Sequence, residues 1–107
     1  MHRALGPGLL ESAYVRCLKL ELEARKLHVR NEVPIRIVFR GITIPEAYRV
    51  DLIVDDAVLV EVKAVQAIDP IHKAQLLTYL RLTGRKVGLL LNFNVPIMRD
   101  GIVRLIH

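Results

Sequence analysis

The residue types most able to do chemistry fall on two short apolar runs, Tyr48 to Val54 and Val58 to Ala64. Asp51 lies on the first, and the step Glu61-Val62-Lys63 lies on the second. Both runs are rich in β-branched residues and read as strands, with Asp55, Asp56 and Ala57 as the turn-forming loop between them. A three-residue loop pairs Val54 with Val58. Carried outward, that register sets Asp51 opposite Glu61 and Arg49 opposite Lys63. One face of the hairpin then holds Tyr48, Val50, Leu52, Val54, Val58, Val60, Val62 and Ala64, while both acids and both bases share the other. A two-residue loop would mix polar and apolar residues on both faces, and hydrophobic pattern normally sets register.

Two carboxylates directly across a strand pair sit about 5 Å apart and repel one another. At an effective dielectric of about 20 the repulsion is roughly 3 kcal/mol, so something must offset it. A divalent cation between Asp51 and Glu61 would turn repulsion into coordination, since Mg²⁺ takes one or two carboxylates together with waters and phosphate oxygens. Arg49 and Lys63 would instead neutralise the pair as a surface charge lattice. In a third arrangement one carboxyl keeps its proton. The pattern of residues leaves all three open. Spacing adds that Glu61 and Lys63, two apart on one strand, project to the same side while Val62 turns inward. An acid pair holding a cation, with an ammonium beside the same phosphate, supplies the parts that phosphodiester hydrolysis requires.

The elements around this hairpin follow from periodicity and punctuation. Gly6, Pro7 and Gly8 form a turn, and a helical pattern runs from about Leu9 to Lys26 with Leu10, Ala13, Tyr14, Cys17, Leu18 and Leu22 on its apolar face. Glu32 to Arg40 alternates with period two and reads as a half-buried strand carrying Ile35, Ile37 and Phe39 inward. Asp69 as N-cap, Pro70 at the first helical position and Gly84 as C-terminal cap frame a second helix over about Pro70 to Thr83. Lys86 to Phe93 is a nearly continuous apolar run, expected of a central strand covered on both faces, and Ile102 to Ile106 follows the Asp100-Gly101 turn. The order αβββαββ predicts an α/β fold, a mixed central sheet flanked by helices, within one domain spanning residues 1–107.

The 107 residues are 52% hydrophobic and 25% charged, which excludes a disordered chain. The longest stretch free of charged residues, Val87 to Met98, contains two asparagines and a proline and cannot cross a bilayer. Cys17 is the only cysteine, so no internal disulfide or cysteine metal cage forms, and a cytoplasmic, reducing environment is expected. A formal charge of +5 favours polyanionic partners without dictating them. His2, His28, His72 and His107 show no metal-ligand spacing. Asn92 reads only as the end of its strand.

Asp51, Glu61 and Lys63, together with Glu11 on the preceding helix, resemble the signature of the PD-(D/E)XK nuclease superfamily in type and order. More narrowly, Gly8-Leu-Leu-Glu11-Ser-Ala-Tyr14 resembles the motif for which the GxxExxY family is named, and His72-Lys-Ala-Gln75-Leu-Leu-Thr-Tyr79-Leu and Gly88-Leu-Leu-Leu-Asn92-Phe93 are similar to further segments of it. The resemblance implies a restriction-endonuclease-like core and Mg²⁺-dependent cleavage of DNA or RNA, with Mn²⁺ as a substitute. It implies Asp51, Glu61 and Glu11 as metal ligands or their helpers, and Lys63 as the catalytic lysine. Gln75 and Tyr79, at i, i+4 on one helical face, resemble an element that supports the active site and contacts nucleic acid. His72, one turn earlier, and Arg49 are further candidates for that supporting role. Val50 stands where the superfamily signature has proline, and members usually carry another helix before the position of His2. The lack of that helix would leave an apolar edge for a homodimer. The contrasting expectation is a non-catalytic nucleic-acid-binding or protein-interaction module on the same fold.

Overall fold

The computed structural model describes residues 1–107. A single turn of helix, α1 (His2–Leu5), precedes α2 (Glu11–Ala24). Strands β1 (Val29–Phe39), β2 (Ile42–Val54) and β3 (Val58–Lys63) follow, then α3 (Pro70–Thr83), β4 (Val87–Asn92), a 3₁₀ turn at Met98–Gly101 and β5 (Ile102–Ile106). The five strands form one sheet in the order β1-β2-β3-β4-β5. All neighbours are antiparallel except β3 and β4, whose parallel pairing requires the α3 crossover between them. This is the expected mixed sheet flanked by helices, with α1 and the 3₁₀ turn added to the predicted order. No helix is long and apolar enough to cross a membrane.

The two helices cover opposite faces. Beneath α3 lie Leu76, Tyr79 and Leu80, packed on Val33, Ile35, Val50, Ile53, Leu59 and Leu90. On the other face Tyr14 of α2 packs with Val29, Leu52, Val60, Val62, Leu91 and Phe93. Strand β4 lies between two neighbours and is buried along most of its length, as its apolar run predicts. Gly84 adopts the left-handed conformation, φ 69°, that ends α3.

The β1–β2 hairpin departs most from expectation. Its strands begin earlier than the alternating pattern indicated, because β1 continues back to Val29 and β2 back to Ile42. Of β2, only Leu52–Val54 pairs with β3, so much of the hairpin extends beyond β3 as an arm. Phe39 is exposed at the tip of this arm, not turned into a core, because neither helix reaches it. Val50 and Tyr48 also depart from the face assigned to them. Val50 packs beneath α3 with Ile53, and the Tyr48 ring meets that of Tyr79 at 5.7 Å, whereas Leu52 packs beneath α2. Simple alternation is therefore broken at Asp51. Strand β1 breaks with it: Val29 belongs to the α2 side and Val33 to the α3 side, and the intervening Glu32 has φ 47°.

Helix α2 begins without a side-chain cap on Leu10. Its entry is fixed from within the helix instead, since the Tyr14 hydroxyl donates to the Gly6 carbonyl (2.6 Å) and accepts from the Leu9 N–H (3.1 Å). The Tyr14 ring stacks on Phe93 with centroids 4.7 Å apart and planes 11° apart, locking the loop, the helix and the end of β4 together. Replacing Tyr14 by Phe keeps the stack and removes both hydrogen bonds from a fully buried hydroxyl. The expected cost is about 1–2 kcal/mol, a melting midpoint lower by on the order of 5–10 °C in a domain this size. An unchanged midpoint would show that this tether does not hold the helix entry.

Candidate active site

Where β2 leaves β3, the sheet exchanges backbone hydrogen bonds for side-chain ones. The ladder runs Val54↔Val58, Ile53↔Leu59 and Leu52↔Val60, the register of a three-residue loop, and then stops. Asp51 and Glu61 are the next residues outward. The Asp51 N–H donates to Glu61 Oε1 (2.9 Å), and the Val62 N–H donates to Asp51 Oδ2 (2.8 Å). Each strand's carboxylate thus takes an amide of the other strand. The expected cross-strand pairs Asp51–Glu61 and Arg49–Lys63 are not part of the ladder, because the inserted carboxylates occupy the space between the backbones.

This arrangement fixes the electrostatics. Glu61 is buried, with 7% of its surface exposed. Burial, and next the neighbouring Asp51 charge, push its carboxyl up to about 7, against the opposing pull of the Asp51 N–H and Lys63. Asp51 is also raised, by burial first, and is held back by the Val62 N–H and Lys63 while the charges of Glu11 and Glu32 add to the rise. Two carboxylates share a poorly hydrated place and together carry more negative charge than it readily holds.

Lys63 ends β3 at the rim of this pair, and three neighbours fix the backbone at and after it. The Phe93 N–H donates to the Lys63 carbonyl (2.9 Å). The Ala64 N–H donates to Glu11 Oε1 (3.3 Å), which brings the first residue of α2 to the end of β3. Asn92 supplies the third support: its Oδ1 accepts from the Val65 N–H (3.1 Å) and its Nδ2 donates to the Val65 carbonyl (2.9 Å). From the sequence, Asn92 reads only as a strand end. The available signal was a polar side chain closing an apolar run, beside Lys63 in the parallel register.

The α3 residues divide in their roles. Tyr79 is buried next to the acids, and its hydroxyl is pushed up to about 12 by burial and then by the Glu61 charge, with smaller contributions from Tyr48 and Asp51. Gln75 lines a groove of about 380 Å³ with Tyr79, Tyr48, His72 and Ile71. His72 borders this groove, but its Nδ1 accepts the Asp69 N–H (3.1 Å), so it also closes the first turn of α3. Arg49 reaches Glu32 and Glu46, at 3.8 Å from each.

The donor set is all oxygen, which suits a hard divalent cation of the Mg²⁺ kind. Asp51 and Glu61 each use one oxygen on a backbone amide and keep the other without a protein partner. No group of three or more ligating side chains is assembled, so Glu11 stands beside the pair without completing a three-ligand cage.

The Glu61 shift has a definite sign for stability. Its folded-state value, about 7, lies above its ordinary 4.5, so the folded protein binds the proton more tightly than the unfolded chain does. This contribution is fully present below about pH 4.5 and is lost as pH rises through 7. Melting in a chelator should therefore show stability falling between about pH 5 and pH 8, by at most about 3 kcal/mol from Glu61. Glu61→Gln should flatten the profile and exceed the native chain in stability at the alkaline end. Parallel pH profiles for the two proteins would contradict the assigned environment.

A family model of the PD-(D/E)XK nuclease superfamily matches residues 1–105, nearly the whole length of the chain. Comparison with curated proteins and with solved structures gave no significant match. The acid, the acid-x-lysine step on the adjoining strand and the glutamate opening the preceding helix all sit within the matched residues. The chain belongs to the PD-(D/E)XK nuclease superfamily.

Proposed function

We propose that this protein is a divalent-cation-dependent nuclease that hydrolyses phosphodiester bonds of DNA or RNA, with Mg²⁺ the natural cation and Mn²⁺ a substitute. Superfamily membership supports nuclease activity in general. The observation that carries the specific reading is the crossed pair Asp51 and Glu61, which points two partly free carboxylates at one place beside an ammonium group. Asp51 and Glu61 would hold the cation, with Glu11 acting at its edge. When bound, the cation would offset the paired negative charge and act as a Lewis acid toward the phosphate.

The protein's own groups have separate tasks. Lys63 projects on the same side as Glu61, where its ammonium holds the attacking water and stabilises charge on the phosphoryl oxygens as the new P–O bond forms. Water adds to phosphorus, the bond to the leaving sugar oxygen breaks, and a proton passes to that oxygen. The products are a phosphate monoester and a free hydroxyl. Tyr79 and Gln75 shape the α3 side of the site, and Asn92 keeps the chain after Lys63 from shifting.

Three finer assignments rest on local features. The run Gly8-Leu-Leu-Glu11-Ser-Ala-Tyr14 supports placement in the GxxExxY group, since Tyr14 ties the turn that delivers Glu11. A reducing cytoplasm suits a lone, free Cys17. A homodimer would cover the exposed Phe39, Ile42 and Ile44 at the tip of the hairpin arm.

Purified protein is expected to cleave DNA or RNA with Mg²⁺ or Mn²⁺ and to stop in a chelator. Lys63→Ala and Glu61→Gln should each lower the rate at least about a hundredfold while keeping the native far-ultraviolet dichroism. Equal cleavage by the native chain and Glu61→Gln would overturn this reading. Cation-independent, strongly salt-dependent binding without cleavage would favour the non-catalytic module instead.

A further inference from the structure

A second groove opens on the α2 side of the acidic pair. It has a volume of about 360 Å³ and is lined by Ser12, Val15, Arg16, Asn31, Glu32 and Asp51. Ser12 and Arg16, four residues apart, share one face of α2. Asn31 and Glu32 come from β1 beside the point where the alternation of both hairpin strands breaks. The groove therefore joins Asp51, one of the two paired carboxylates, to an arginine on the opposite wall.

Arg16 is the only cation lining this groove, and it is unpaired. The ion pairs of the chain engage Arg25, Arg30, Arg49 and Arg85, and Arg16 takes part in none. No ion pair joins it to Asp51, and the two residues line the groove from different elements, Arg16 from α2 and Asp51 from β2. Glu32, the other acid on the wall, lies 3.8 Å from Arg49, which reduces its hold on Arg16. An exposed guanidinium offers a planar fork of donors suited to phosphate oxygens, and hydroxyl and amide side chains stand on the same walls.

We propose that Arg16, assisted by Ser12 and Asn31, forms a subsite for a phosphodiester of the substrate strand next to the one that is cleaved. The inference rests on the nuclease reading above and adds to it how the strand is held. Lys63 reaches the reacting phosphate from the end of β3, while Arg16 grips the backbone from α2, so the strand is fixed on two sides of the acids. Because Arg16 binds a phosphate that does not react, it contributes to holding substrate more than to the chemical step.

The test compares Arg16→Ala, Arg16→Lys and, as a control on the same helix, Arg25→Ala, whose native arginine is occupied by Glu21 at 3.0 Å. With an oligonucleotide substrate and Mg²⁺, Arg16→Ala should raise KM about five- to tenfold, the loss of one charged phosphate contact, and change kcat less than about twofold. Binding of a labelled oligonucleotide to the Glu61→Gln protein, titrated at several salt concentrations, should lose about one unit of salt slope on adding Arg16→Ala. Arg16→Lys should restore the slope but only part of the affinity, since a point charge lacks the fork. KM and salt slope equal to those of the Arg25→Ala control would overturn the subsite. Absence of cleavage by the native chain would instead count against the nuclease reading, with the salt titration still deciding Arg16.

Discussion

Two crossed contacts, the Asp51 N–H to Glu61 and the Val62 N–H to Asp51, are the constraint on which the rest of this structure depends. A sheet normally satisfies its backbone groups with the adjoining backbone. Here two carboxylates take over that work at the one place where β2 and β3 separate. The substitution is costly because it buries like charges together, and it raises the proton affinity of both acids. It also keeps the acids on rigid strands and not on a loop, so their positions follow from the packing of Ile53, Leu59, Leu52 and Val60 just inside them.

The surrounding elements serve that constraint from both layers. On the α2 side, the hydroxyl of Tyr14 holds the turn before the helix while its ring stacks on Phe93, and Phe93 in turn donates to the carbonyl of Lys63. Glu11 at the start of α2 and Asn92 at the end of β4 bind the next residues of the same segment. The backbone groups named above, from the Lys63 carbonyl to the Val65 carbonyl, are therefore held from two sides, by Glu11 of α2 and by Asn92 and Phe93 at the end of β4. On the α3 side, buried Tyr79 feels the charge of the acids and meets the half-exposed ring of Tyr48, whose turn toward α3 depends on the same break in alternation at Asp51.

The hairpin arm and the basic balance belong to the same physical picture. A net charge of +5 attracts a phosphate backbone over distances longer than any single contact. The acidic pair is a local exception within that field, and a cation held between the acids would remove the conflict. Opposing fields at long and short range are compatible because burial confines the negative charge to the gap between β2 and β3, while Arg16, Lys63 and the exposed arginines of the arm stand around it.

Much of the fold was legible in the chain itself. Apolar periodicity, the Asp69-Pro70 start and Gly84 end of α3, and the apolar run of β4 specify their elements because local backbone preferences and burial agree there. The loop Asp55-Asp56-Ala57 and the Val54↔Val58 register were legible for the same reason, whereas the type and spacing of Asp51, Glu61 and Lys63 left several chemistries open and only the family resemblance, with Glu11, singled one out. What the sequence could not state is that alternation breaks at Asp51 and Glu32, that Val50 and Tyr48 consequently turn toward α3, or that Asn92 clamps Val65. Each of these depends on side chains competing with distant backbone groups for the same hydrogen bonds, and such competition is settled only when the strands and both helices are assembled. Sequence alone determined which groups were available for chemistry; tertiary structure decided which of them meet, because the carboxylates find their amide partners only across the gap that the packed sheet creates.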